Sequence, residues 1–318
     1  MSAFKRIIFL GSPAFAVPAL KRLIESENFK PIAVITQPDR PSGRKLQLQP
    51  TPVKLLALEH NLSILQPEDI NTEDSIAAIR ALQPDLLVTV AYGSKLKKAV
   101  RQTAAFGAIN LHPSLLPQLR GAAPIPFALL SGMVQTGISI FQLTAKMDAG
   151  PVFVKKPFFI FPGENATDLA DRLAYISSKL LLDFLTDWFQ NPWQPETQDE
   201  ALATYCRKLE KEDGLLDWQQ PVKEICCHIL AMTLAPGAYT YFRGQQLKVI
   251  EVEIIDEHST LPCGSITSIQ KNIGFTVQVK DKQLLIKTVQ PAGKKAMSAW
   301  AFQLGSRIEP GERMEIHA

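Results

Sequence analysis

From Arg6 to Phe189 the chain repeats one alternation, a short run of continuous apolar residues followed by a longer stretch with helical spacing. Residues 6–10, 32–36, 62–65, 86–90, 107–111, 137–143 and 152–161 read as strands, and residues 14–25, 52–59 and 72–82 as the helices between them. Strands that are apolar on both faces must be covered on both faces, and their alternation with helices is the pattern of a mostly parallel, doubly wound α/β sheet. A long helix over residues 168–189 closes the series. Its Leu169, Leu173, Ile176, Leu180, Phe184 and Leu185 fall on one side.

The pattern then changes. Residues 190–206 carry Pro192, Pro195 and a polar run, the composition of a linker. Beyond them one helix (222–232) is followed by short β runs at 238–242, 247–255, 264–269, 275–280 and 283–289, with turns between. Five short antiparallel strands predict a small OB-like β-barrel. The expected organisation is a catalytic α/β domain over 1–189, a linker over 190–206 and an OB-like domain over 207–318. A chain of 318 residues with 46% hydrophobic content is long enough for two such cores.

Several function classes are disfavoured. The turn after the first strand, Gly11-Ser12-Pro13-Ala14-Phe15-Ala16, lacks the later glycines of a dinucleotide fingerprint, and Pro13 removes a backbone N–H that a pyrophosphate would use. The four cysteines have no C-x-x-C spacing, so no metal is expected, and free thiols fit a reducing cytoplasm. Gly11, Ser12 and Pro13 interrupt the apolar N-terminus, and no run is long enough to span a bilayer, so no membrane partner is expected. The net charge of +3 permits a nucleic-acid partner without requiring one.

Reactive side chains concentrate at one strand end. The segment Asn110-Leu111-His112-Pro113-Ser114-Leu115-Leu116-Pro117 begins where an open α/β sheet places its ligand crevice. Asn110 and His112 are two residues apart, so on an extended chain they leave the same face and can address one substrate atom. Asp148 follows the next strand, in a loop able to converge on the same place. The ordinary alternatives are a turn-forming asparagine, a hydrogen-bonded structural histidine and an Asx turn at Asp148-Ala149-Gly150. The three together favour a site at which the two strand-end loops meet around one substrate atom.

With Asn-x-His, Ser-Leu-Leu-Pro and the later Asp in place, the chain resembles the folate-dependent formyltransferase family. The segments Gln37-Pro38-Asp39-Arg40-Pro41-Ser42-Gly43-Arg44, Val90-Ala91-Tyr92-Gly93, residues 120–124 and residues 290–298 extend the resemblance over nearly the whole chain. It implies that Asn110, His112 and Asp148 form the reaction centre, with Asn110 and a ring N–H of His112 holding the oxyanion and Asp148 orienting the imidazole, and that Ser114, Leu115, Leu116 and Pro117 line the folate site. It implies 10-formyltetrahydrofolate as co-substrate, and as acceptor the α-amine of methionine carried by initiator tRNA. The loop 37–50, with Arg40, Arg44 and Lys45, is implied to reach the tRNA acceptor end, and the barrel to grip the acceptor arm. From residue 201 onward the chain has 14 Lys and Arg against 13 Asp and Glu, a difference of +1. That grip must therefore come from a local patch such as Arg207, Lys208, Lys271, Lys294 and Lys295. A monomer is expected. Two other readings stay open: formylation of an amino sugar nucleotide, and RNA binding without catalysis.

Overall fold

A computed structural model describes residues 4–42, 47–191 and 193–317. Two compact units are present: residues 1–124, 135–159 and 170–206 form the first, and residues 125–134, 160–169 and 207–318 the second.

The first unit begins with β1 (Ile7–Gly11), all five residues buried, and α1 (Val17–Ile24) after a single 3-10 turn. There follow β2 (Pro31–Ile35), a small hairpin of β3 (Arg40–Ser42) and β4 (Gln47–Gln49), α2 (Pro52–Glu59) and β5 (Ile64–Leu65). Next come α3 (Glu73–Ala81), β6 (Leu86–Val90), α4 (Lys98–Arg101), β7 (Ala108–His112) and β8 (Arg120–Gly121). After β8 the chain forms α5 (Pro124–Leu130), which apart from Pro124 belongs to the second unit, and the first unit resumes with β9 (Gln135–Gln142), β10 (Val152–Phe159), α6 (Ala166–Trp188) from residue 170 onward, and β11 (Tyr205–Cys206).

The main sheet has seven strands in the order β10-β9-β7-β6-β1-β2-β5. The five from β5 to β7 run parallel, while β9 and β10 are antiparallel additions beside β7. The chain winds from β1 out to β2 and β5 and then returns to β6 on the other side of β1, which sets the topological switch between β1 and β6. Ile8, Leu10, Ala33, Ile35 and Leu87 of the sheet pack with Ile70, Ile79, Leu96 and Val100 from the α3 and α4 region. Fully burying each of these isoleucine, leucine and valine side chains contributes roughly 1.5–3 kcal/mol.

Local signals explain where the helices start. The Thr51 hydroxyl accepts the Lys54 amide at 3.1 Å ahead of Pro52, and Thr72 caps α3 in the same way through Ser75. On α6, Leu169, Leu173, Phe184 and Leu185 are buried as the spacing predicts, and Leu181 joins them. Ile176 and Leu180 are only half buried.

The stretch 190–206, expected as a linker, ends inside the first unit. β11 pairs in parallel with β8, and the Arg120 and Ala122 amides donate to the Thr204 and Cys206 carbonyls at 2.9 and 3.0 Å. Part of this stretch is thus a strap bonded to the loop after His112.

The second unit contains α7 (Val222–Ala231), β12 (Tyr239–Phe242), β13 (Gln245–Ile255), β14 (Ile266–Gln270), β15 (Gly274–Gln278), β16 (Gln283–Pro291), β17 (Met297–Ser298) and α8 (Ala299–Ser306). Its antiparallel sheet has the order β12-β13-β16-β15-β14, with β17 also on β16. The chain after α8 links the two ends of that order. Glu315 exchanges two backbone hydrogen bonds with Tyr241 of β12, and the Met314 amide donates to the Gly264 carbonyl just ahead of β14.

Candidate active site

β7 carries Asn110 and His112 on one side, as the strand period requires. Asn110 lies opposite Thr89 of β6 and Phe141 of β9, and His112 opposite Ser139. The Thr89 hydroxyl lies 2.8 Å from the Asn110 Oδ1 and 2.8 Å from the Ile109 carbonyl. With Oδ1 engaged there, the amide NH2 of Asn110 is left to donate elsewhere.

His112 is almost fully buried, its ring edge against Phe141 at 6.4 Å between centroids. Its Nε2 lies 2.9 Å from the Leu119 carbonyl. A carbonyl only accepts, so this nitrogen carries the proton, and the neutral ring turns an unprotonated Nδ1 toward Asp148 Oδ2 at 3.9 Å. That separation is too long for a direct hydrogen bond and leaves room for a third, proton-bearing group. Burial holds the His112 pKa below its usual value, against the opposing pull of the Asp148 charge and the Leu119 carbonyl. The ring is therefore neutral at pH 7.

This geometry corrects one expectation. A neutral His112 has its only N–H on Leu119, so it cannot also hold an oxyanion. Nδ1 can donate only after taking up a proton, and the adjacent carboxylate is placed to stabilise that charged form.

Asp148 occupies the left-handed region at φ 49° in the loop between β9 and β10. Its Oδ2 accepts the Gly121 amide at 2.8 Å, so the two loops predicted to converge are joined at the carboxylate itself. Gly121, at φ 122°, is required here: a β-carbon on it would lie 2.1 Å from the Cys206 carbonyl oxygen. The Arg120 guanidinium next to it is fully buried. It donates to Gln198 Oε1 at 2.8 and 3.1 Å, to Glu200 at 3.0 Å and to the Tyr205 hydroxyl at 3.3 Å. Hydrogen bonds from Arg120 and Lys146 lower the Glu200 carboxyl to about 2.

The segment after His112 is largely occupied with holding itself. The Ser114 hydroxyl donates to the Gln118 carbonyl at 2.6 Å, and its own carbonyl accepts from Ser139 Oγ at 2.7 Å. Leu116 packs with Phe141 and Val152, Pro117 is buried, and half-buried Leu115 lies against Gly137 of β9. The turn after β1 is similarly closed. Ser12 Oγ accepts the Gln37 amide at 3.1 Å, and Gln37 Nε2 donates to the Tyr92 carbonyl at 3.2 Å and Ser94 Oγ at 2.9 Å.

Arg40 stands on the exposed β3–β4 hairpin, paired with Glu68 at 2.6 Å. Arg44 and Lys45 lie outside the described residues. At the base of the hairpin, the Asp39 carboxylate accepts from Lys54 at 2.6 Å and Gln66 at 2.8 Å. In the second unit Lys208, Lys271, Lys294 and Lys295 are exposed, whereas Arg207 forms a two-pronged pair with Asp213.

The structure brings His112 and Asp148 together and sets Asn110 on the same strand face. Sequence reasoning missed Thr89, Gly121 as a donor to Asp148, and Gln198. A hollow of about 470 Å³ in the first unit, lined by Phe106, Gln142, Phe153, Trp188 and Trp193, adjoins Gly107 at the other end of β7 and holds no comparable group. Convergent polar groups mark the site better than concavity does.

Residues 5–185 match the family model described as formyl transferase, and residues 208–307 the one described as formyl transferase, C-terminal domain. A methionyl-tRNA formyltransferase of Bacillus subtilis is 38% identical over 312 residues, covering 98% of each chain. One of Geobacter metallireducens is 41% identical over 308 residues, covering 97% of this chain and 98% of the other. Among solved structures, HypX from Aquifex aeolicus in complex with tetrahydrofolic acid has a TM-score of 0.64 at 16% identity. That likeness covers 95% of this chain and 47% of HypX, so the chain spans about half of HypX's length.

Proposed function

This chain belongs to the formyl transferase family, and on that premise we propose that it moves the formyl group of 10-formyltetrahydrofolate onto the α-amine of methionine carried by initiator tRNA. The observation that carries the chemistry is the 3.9 Å approach of an unprotonated His112 Nδ1 to the Asp148 carboxylate, on the strand face that also carries Asn110.

The nucleophile is the neutral amine. A free α-amino group has a pKa of about 7.7–8.0, and loss of the neighbouring carboxylate charge in the ester lowers it, so a useful neutral fraction exists near pH 7. The amine nitrogen attacks the formyl carbon, and the carbonyl π electrons move to oxygen. The Asn110 amide donates to that oxyanion, an interaction worth roughly 10²–10³ in rate for one well-placed donor. The nitrogen then loses a proton to His112 Nδ1, where Asp148 stabilises the imidazolium. The new Nδ1–H passes the proton to N10 of the folate as the C–N10 bond breaks. The products are formylmethionyl-tRNA and tetrahydrofolate, with His112 again neutral.

Asn110, His112 and Asp148 are thus the proposed catalytic groups. For folate, Leu115 and the backbone of the 114–117 segment form the proposed wall, since the Ser114 hydroxyl and the Leu116 side chain are engaged internally. Arg40, Arg44 and Lys45 are the proposed tRNA contacts of the first unit, and exposed lysines supply them in the second. We assign residues 1–189 to catalysis and 207–318 to tRNA binding, with a monomer in the cytoplasm as the working state. Among the described residues no helix is long and apolar enough to cross a membrane.

The test is transfer of labelled formyl from 10-formyltetrahydrofolate to methionyl initiator tRNA, with methionyl elongator tRNA and a dTDP-amino sugar as competing acceptors. Label appearing on the sugar and not on tRNA overturns the proposal.

A further inference from the structure

We propose that Gln198 is a positioning residue for formyl transfer, acting by fixing the loop that presents Asp148; this rests on the catalytic role given to Asp148 above. Gln198 is 7% exposed, and all four capacities of its amide in this setting are used. Oε1 accepts from Nε and Nη2 of Arg120 at 3.1 and 2.8 Å. Nε2 donates to the carbonyls of Asp148 and Gly150 at 2.8 and 2.7 Å. Arginine has no acceptor and a carbonyl has no donor, so only one orientation of the amide satisfies this set.

The consequence for Asp148 is a grip at two points. Its backbone carbonyl is held by Gln198 and its carboxylate by the Gly121 amide. Gly121 directly follows Arg120, whose guanidinium is the other partner of Gln198. The loop bearing His112 and the loop bearing Asp148 are therefore tied both at the carboxylate and, through one buried amide, behind it. A non-glycine residue at φ 49° needs surrounding bonds to keep it there, and these supply them. Neither neighbouring acid replaces the amide: Glu200 pairs with Arg120 and Lys146, and the Asp199 side chain accepts the Ala201 amide. Release of the Asp148 and Gly150 carbonyls lets the carboxylate wander from the 3.9 Å relation with Nδ1, and displacement on the order of 1 Å costs up to about 10²-fold in rate.

The experiment compares Gln198→Met, Gln198→Glu and Asp148→Asn in the full chain. Methionine keeps the volume and removes every hydrogen bond. Glutamate keeps a partner for Arg120 but opposes an oxygen to both carbonyls. For both Gln198 variants kcat per folded molecule is expected to fall about 10–100-fold, with KM for 10-formyltetrahydrofolate and methionyl-tRNA each within about 3-fold of wild type. A wild-type kcat in Gln198→Met overturns the proposal, as does a loss no larger than the fraction unfolded in a urea titration. Wild-type kcat in Gln198→Glu also overturns it, because the bond to Arg120 would then be all that matters. Should Gln198→Met fail to fold, Gln198→Glu decides. Full activity in Asp148→Asn instead refutes the catalytic assignment.

Discussion

The loop that carries Asp148 and the hairpin that carries Arg40 belong to the same unit, yet they are built on opposite plans. Asp148 is bonded at its carbonyl and its carboxylate to partners remote in sequence, beside a fully buried Arg120. Arg40 has one ion pair, to Glu68, with the two side chains 64% and 72% exposed. Bond making needs donors fixed before the substrate arrives, because only preorganised groups stabilise a short-lived charge without a reorganisation cost. The role proposed for the hairpin, contact with a phosphate backbone, needs only charge in the right region, and exposed cations that displace the nucleic acid's counterions provide it.

If that contrast is sound, substitutions on the two sides fail differently. Asp148→Asn is expected to lower kcat by about 10³-fold or more with folate Kd within about 3-fold, measured by single-turnover transfer and fluorescence titration. A larger change in Kd than in kcat breaks the assignment. Gly121→Ala introduces a β-carbon where the Cys206 carbonyl already sits, so a loss of about 2–4 kcal/mol in urea unfolding is expected. Arg40→Ala is expected to raise KM for tRNA less than about 10-fold, leave kcat unchanged and flatten the salt dependence of KM. Its stability should stay within about 0.5 kcal/mol of wild type, as for most exposed ion pairs. The subtlest test concerns His112 itself. Its pKa is lowered by burial and supported by Asp148, so removing that charge in Asp148→Asn should lower it further. Nitrogen-15 NMR titration should place the acid transition of the ring in the variant below that in the wild type; an upward move would mean that Asp148 does not act on the imidazole.

The same contrast explains what could be read in the sequence. β1 and β6 announce themselves because a strand covered on both faces must be apolar throughout, and α2 because Thr51 and Pro52 form a local start signal. The β3–β4 hairpin shows no such pattern: Arg40-Pro41-Ser42 and Gln47-Leu48-Gln49 pair with each other, and Arg40, Pro41, Gln47, Leu48 and Gln49 are exposed. α5 hides behind Pro124 and Pro126, which resemble a loop although proline is tolerated in a first turn. Asn110 and His112 were legible from their spacing, and Asp148 from its place after a strand. Gln198 was not, since its partner Arg120 lies 78 residues away and its surroundings have the polarity of a linker. The tautomer of His112 was equally hidden, because it is set by a backbone carbonyl that no side-chain pattern reveals.

The segment around Glu315 that joins β12 to the start of β14 gives the two units different timetables during synthesis. Every strand of the first unit has been made once Cys206 is polymerised, so that sheet can assemble while later codons are still being read. The sheet of the second unit lacks the backbone partners of Tyr241 and Gly264 until residues 314 and 315 emerge, more than a hundred residues after Cys206. Nascent chains arrested before Arg313 should therefore show an already ordered first unit and an open, protease-sensitive sheet in the second.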